Sequence, residues 1–435
     1  MKRDIYQDLL KWKNSSDRKP LILQGARQVG KTYILKEFGK NEYSDTAYFN
    51  FEEDRSLNDF FIKNISPQDI IKKLSIYLEK DILPEKTLII FDEIQESKEA
   101  LTSLKYFCEE AKQYHIAAAG SLLGLKLGQS IPFPVGKVNF LYLYPFSFGE
   151  YLEGIGKSRL RDFLKGVSVL APIEESFHKE LTEDLKMYYY IGGMPEAVLQ
   201  YVKSGDLKKV RAIQDEILIA YAMDFSKHTT KTEAIKILNT WKSIPGQLAR
   251  ENKKFKFTEI SKNARLRDYG ESIGWLKDAG LIYQCFNIKA PKLPLIAYRE
   301  EGIFKMYLLD VGLLGAMLGL SMKTIVLGNR LFSEYNGAFV ENYVAQELVA
   351  ALRKELYYWS SENSAEVDFI ISCNDEVYPL EVKSGVSSKK KSLKVYGEKY
   401  NVPFLYRATL MNFKQDGKIR NYPLYAISNL PKSDL

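Results

Sequence analysis

The chain has 435 residues, of which 46% are hydrophobic, 27% charged and 13% aromatic, and its formal net charge is +7. That length suggests two or three domains, the 29 Tyr and 23 Phe exclude a disordered chain, and the mild positive charge permits a polyanionic partner without requiring one. Cys108, Cys285 and Cys373 lie far apart with no C-x-x-C, and His115, His178 and His228 are scattered, which argues against a disulfide framework, a zinc site and histidine-based metal chemistry.

The opening Met1-Lys2-Arg3-Asp4 lacks an apolar leader, and apolar runs such as 311–320 are broken by glycine, short of the roughly 20 residues that cross a bilayer. The expected setting is cytoplasmic, with no membrane partner. Strand and helix signals alternate over residues 1–150. Apolar runs at 21–23, 47–51, 88–91, 116–119 and 140–143 read as strands, and 31–39, 67–78 and 101–111 as helices. The run Leu88-Ile89-Ile90-Phe91 is apolar throughout, as a strand buried on both faces should be. The pattern predicts an α/β fold with a parallel sheet covered by helices.

Residues 151–230 read as helical, with a break at Gly192-Gly193-Met194-Pro195. In 231–330, a short helix from Thr258, a second over 269–279 and a strand from Gly280 give the order of a winged helix, with Arg265, Arg267 and Lys277 supplying basic character. Such a module contacts either DNA or protein. Residues 331–435 open with a helix over 337–353, followed by short strands, which predicts a C-terminal α/β domain.

Gly25-Ala26-Arg27-Gln28-Val29-Gly30-Lys31-Thr32 follows an apolar strand and opens a helix, which is the context of a phosphate-binding P-loop. Its glycines let backbone N–H groups curl round phosphate oxygens, Lys31 would reach the β and γ phosphates, and Thr32 would ligate Mg²⁺. Asp92, at the end of the 88–91 strand, is the second expected Mg²⁺ ligand, and Glu93 the group that orients and deprotonates the attacking water. Ser121, after the 116–119 strand, is either a γ-phosphate sensor or a helix cap.

These motifs, with Leu143-Tyr144-Pro145-Phe146-Ser147-Phe148-Gly149-Glu150, Gly192 to Glu196, Tyr307 to Leu313 and Phe339-Val340-Glu341-Asn342, resemble a family of prokaryotic AAA-fold ATPases with a C-terminal domain of unknown function. The resemblance implies ATP and Mg²⁺ as ligands. AAA ATPases usually take an arginine from a neighbouring subunit, so a homo-oligomer is an expectation.

Further on, Glu366, Asp368 and Ile370 alternate onto one strand face, and Glu381 and Lys383 share a face of the next strand. With Glu341 on the preceding helix, this resembles the PD-(D/E)XK nuclease constellation. There Glu341, Asp368 and Glu381 would hold Mg²⁺, and Lys383 would stabilise the nucleophile or the developing charge. The alternative is cross-strand ion pairing on a half-exposed sheet. Two functions follow as expectations. One is a Mg²⁺-dependent ATPase coupled to a C-terminal domain that binds or cleaves nucleic acid. The other is an ATP-controlled switch whose C-terminal domain binds protein or DNA without cutting it.

Overall fold

The computed structural model describes residues 1–62, 65–120, 134–167, 171–227, 229–250, 253–321, 336–361, 365–385 and 391–430. Two compact units emerge. The first is Met1–Tyr144 with Asp278–Gly280, and the second is Pro145–Lys277 with Leu281–Leu435.

The first unit is built on strands β1 (Leu21–Gln24), β2 (Asp45–Asn50), β3 (Thr87–Asp92), β4 (His115–Ala119) and β5 (Asn139–Tyr142). They pair in parallel in the order β2-β3-β4-β1-β5. β1, β3 and β4 are buried along their whole length, which is why their sequences are apolar without alternation. Helices α1 (Ile5–Lys13), α2 (Lys31–Glu42), α3 (Pro67–Leu78) and α4 (Lys98–Glu110) accompany the sheet. One core layer packs Phe49, Phe51, Phe61 and Phe91 with Ile70 and Leu74 of α3 and Leu101 and Leu104 of α4, the Phe51 and Phe91 rings 5.6 Å apart, edge to face. The loop after β1 and the end of β3 lie on either side of β4, so both open at the carboxyl edge of the sheet, where such folds bind ligands.

The second unit begins with helices α5 (Phe148–Gly154), α6 (Ser158–Gly166), α7 (Glu175–Ile191), α8 (Pro195–Ser204) and α9 (Leu207–Asp224), in keeping with the helical reading of this stretch. α10 (Lys231–Leu248) and α11 (Leu266–Asp278) follow. The short helix expected from Thr258 is only a 3-10 turn, Phe257–Glu259, whose start has no side-chain cap to satisfy its first N–H groups. β6 (Ile282–Ile288) and β7 (Arg299–Leu308) form a hairpin. They do not close a sheet of their own, because β6 also pairs in parallel with β8 (Leu356–Ser360). The result is one mixed sheet, completed by β9 (Glu366–Cys373), β10 (Glu376–Val382), β11 (Leu405–Thr409), β12 (Lys414–Asp416) and β13 (Ile419–Pro423), in the order β12-β13-β11-β10-β9-β8-β6-β7. β8, β9 and β10 run as an antiparallel meander, and β10 pairs in parallel with β11.

Helix α12 (Val311–Met317) follows β7, and α13 (Asn336–Leu352) precedes β8. From 338 to 349 every residue of α13 is buried. Its polar side chains therefore need partners inside the fold, and they find them on chain ends of other elements. Asn342 accepts from Leu308 N (2.7 Å) and donates to Leu308 O (3.1 Å). Gln346 accepts from Val311 N (3.0 Å) and Glu347 from Phe148 N (2.8 Å). Asp310 caps α12 through Leu313 N (2.9 Å) and also accepts from Gly193 N (2.6 Å), while burial lifts its carboxyl to a pKa of about 6. A Cβ on Gly193 would lie 2.1 Å from Phe146 O, so the glycine pair 192–193 permits this close approach. The motifs around 146, 193, 310 and 342 thus meet in a single buried hydrogen-bond network.

Asn342→Leu keeps the branched heavy-atom skeleton and removes both side-chain partners of the Leu308 backbone. The variant is expected to lose about 2–4 kcal/mol of stability by denaturant unfolding, seen in a probe of the second unit while nucleotide binding by the first is retained.

Candidate functional site

The P-loop is shaped by backbone conformations that few side chains tolerate. Gly25 (φ 148°), Gln28 (φ 64°) and Gly30 (φ 93°) all have positive φ. A Cβ at Gly25 would lie 2.2 Å from Leu143 O, so the turn needs glycine there. Arg3, itself buried, donates to Val29 O (3.1 Å) and to Tyr144 O, strapping the loop from α1's leading edge.

Lys31 opens α2 and is buried, and its ammonium donates to the loop's own carbonyls, Gly25 O (3.0 Å) and Ala26 O (2.9 Å). Burial pushes its pKa down to about 8, against the pull of Glu93 and Asp92. Phosphate oxygens would compete with those carbonyls for the same donor. Thr32 Oγ1 donates to Asp92 Oδ2 (2.7 Å), so the two expected Mg²⁺ ligands are adjacent oxygens, the donor type that ion takes. The fit is good: one hydroxyl and one buried carboxylate face each other at the head of the loop.

Two partners were absent from the sequence reading. Tyr48 OH also donates to Asp92 Oδ2 (2.8 Å), and burial together with that carboxylate holds the phenol well above its ordinary pKa. Gln95 Nε2 donates to Glu93 Oε2, while Gln95 Oε1 is buried and lies 2.6 Å from where a Cβ on Gly120 would be. The cue for Tyr48 was its place one strand over from Asp92, facing the same edge. The cue for Gln95 was only its nearness to Glu93. Ser121 lies outside the described residues.

In the second unit, Glu341, Asp368 and Glu381 are all buried, and a hydrogen bond from Val382 N (2.8 Å) orients Asp368. Lys383 Nζ lies 3.0 Å from Glu381 Oε1. The expected metal cage is not what surrounds these carboxylates. Among the described residues no group of three or more His, Cys, Asp or Glu is placed to hold a metal ion. Lysines fill the space instead. Lys305, 1% exposed on β7, lies 2.6 Å from Glu366 Oε1, 3.5 Å from Glu341 Oε2 and 3.8 Å from Asp368 Oδ1. Lys253 pairs with Glu341, and Tyr307 OH donates to it (3.1 Å). Burial alone would raise Glu341, yet Lys253 and Lys305 hold it well below the usual carboxylate range. Burial and then Glu341 raise Asp368 to about 7. Lys305 was missed by the sequence reading, although a lone lysine inside the apolar strand Phe304-Lys305-Met306-Tyr307-Leu308 was a visible signal.

Three family models match the chain. Residues 17–152 match an AAA domain, and residues 182–324 and 336–427 match two domains of unknown function, DUF8612 and DUF4143. An uncharacterized protein of Methanocaldococcus jannaschii is 29% identical over 209 residues, 45% of this chain and 42% of its own length. Another, of Mycobacterium tuberculosis, is 34% identical over 92 residues, 20% of this chain and 19% of its own. The match thus spans less than half of either relative. Among solved structures, a Walker-type ATPase of Pyrococcus abyssi is similar at a TM-score of 0.44 and 14% identity, over 72% of this chain and 95% of that one. The ORC1 protein of Aeropyrum pernix, solved in complex with DNA, gives 0.29 and 12% over 73% and 90%. The RuvB Holliday junction branch migration motor of Thermotoga maritima gives 0.32 and 12% over 70% and 92%. Among the described residues no helix is long and apolar enough to cross a membrane. Residues 17–152, most of the N-terminal unit, thus form an AAA domain that carries the P-loop.

The low pKa of Lys31 has a consequence for binding. ATP needs the ammonium form, so above pH 8 binding must take up a proton. The dissociation constant is expected to rise by up to about tenfold per pH unit above 8, and to stay flat over the same range in Lys31→Arg. Titration calorimetry in two buffers of different ionisation enthalpy measures both the constant and the proton uptake.

Proposed function

We propose that this chain is a Mg²⁺-dependent ATPase whose turnover controls a second unit that engages nucleic acid. The observation that carries it is the contact between Thr32 and Asp92 beside the buried Lys31, with Glu93 next along the chain. The loop's backbone donors and Lys31 would bind and orient the triphosphate. Mg²⁺, held by Thr32 and Asp92, would supply charge neutralisation across the β and γ phosphates. Glu93 would orient the attacking water and accept its proton, and Gln95 would fix the direction of that carboxylate. Tyr48 would hold Asp92 in the rotamer that faces Thr32. The +7 net charge and the exposed Arg265 and Arg267 support a polyanion as the partner of the second unit.

Cleavage by Asp368, Glu381 and Lys383 has weaker support than binding. The antiparallel meander, the parallel fourth strand and the buried helix glutamate favour a nuclease-like core. However, the carboxylates of that core are already ion-paired. A binding role for the second unit is the reading favoured by those pairs.

ATP turnover is expected in the full chain and is expected to rise on addition of DNA. Glu93→Gln should keep nucleotide affinity while losing at least about 100-fold in turnover, and Lys31→Ala should lose binding itself. A phosphate-release assay with and without DNA, on samples also run for cleavage products, tests the reading. Equal turnover by wild type and Glu93→Gln would refute the assigned base.

A further inference from the structure

We infer that Lys305 is a built-in cation standing in the metal position of the C-terminal carboxylate cluster, so that this site is neutralised by the chain itself and takes up no divalent ion. The inference concerns the second unit alone and stands apart from the ATPase reading. Its basis is geometric. The Lys305 ammonium contacts Glu366 at 2.6 Å and lies within 3.8 Å of both Glu341 and Asp368. A divalent ion bridging the same oxygens would need the space the ammonium fills, with the oxygens drawn in to about 2.0–2.6 Å. Nothing about Lys305 suggests a transient visitor. It belongs to a strand paired with β6, its stem is buried, and its ammonium passes 5.0 Å from the centre of the Tyr358 ring.

The remaining charges close the balance. Lys253 meets Glu341, and Lys383 meets Glu381. Arg407, on β11 and in register with Glu381, adds a further positive charge beside it. Glu341, Glu366, Asp368 and Glu381 thus share three ion-pairing lysines, Lys253, Lys305 and Lys383, while Arg407 acts on Glu381 through space. Adding a dication would place it beside an ammonium in a low-dielectric interior, where like-charge repulsion is strong. The arrangement keeps the acidic scaffold of a phosphodiesterase while removing its electrophile. It leaves the unit suited to holding a nucleic acid rather than cutting it.

The test is Mn²⁺ binding to the full nucleotide-free chain, followed by electron paramagnetic resonance. Wild type and Asp368→Asn are expected to give the same isotherm, because Asp368 contributes to no ion site. Lys305→Gln is expected to gain one Mn²⁺ site, at least tenfold tighter than any in wild type, and Lys305→Gln/Asp368→Asn to lose it. A Mn²⁺ site in wild type that Asp368→Asn abolishes would overturn the inference, as would a folded Lys305→Gln that gains no site. Should Lys305→Gln fail to fold, the comparison of wild type with Asp368→Asn decides alone. Phosphate release by wild type, measured in parallel, separates failure here from failure of the ATPase assignment.

Discussion

A charge taken out of water must be met by an opposite charge or by hydrogen bonds, and that constraint organises both sites of this chain. In the first unit the buried cation is Lys31. Its loop satisfies it with two backbone carbonyls, and the nearby carboxylates Asp92 and Glu93 keep it from losing its proton altogether. In the second unit the buried cation is Lys305, and carboxylates meet it directly. The difference decides what each site can do. Carbonyls on a loop are weak partners that phosphate can displace. Carboxylates on packed strands and a buried helix are strong partners that hold.

The same constraint explains helix 336–352. A helix stretch buried on every face, as 338–349 is, is usually apolar, yet this one carries Glu341, Asn342, Gln346 and Glu347. Each is spent on a backbone group or an ion pair that would otherwise be unsatisfied, so the helix acts as the joint on which the β6–β7 hairpin, α12 and the chain near Phe148 are hung. Packing density alone would not select those polar residues. Their position follows from where other elements leave unpaired N–H and C=O groups.

Much of the first unit was legible because its signals are local. A bare apolar strand, a glycine loop with lysine and threonine, and two acids at the end of another strand lie in short windows. Parallel strands buried on both faces offer little alternative for such windows. Tyr48 and Gln95 were not legible, because each reaches its carboxylate through folding and belongs to no fixed motif. In the second unit the sequence offered only the alternation of Glu366 with Asp368 and of Glu381 with Lys383. It could not reveal which cation would face them, since Lys305 comes from a strand more than 60 residues upstream.

The amino-acid sequence by itself determined the phosphate loop, the acids that accompany it and the existence of a C-terminal sheet, because these depend on contacts between near neighbours and on strand periodicity. Only the tertiary structure decided that the hairpin of the middle segment belongs to that same sheet. It alone decided that the C-terminal carboxylates enclose an ammonium. Register between distant strands and the reach of a buried side chain across a sheet face are long-range properties. They are set by how the elements pack together, and no short window of sequence records them.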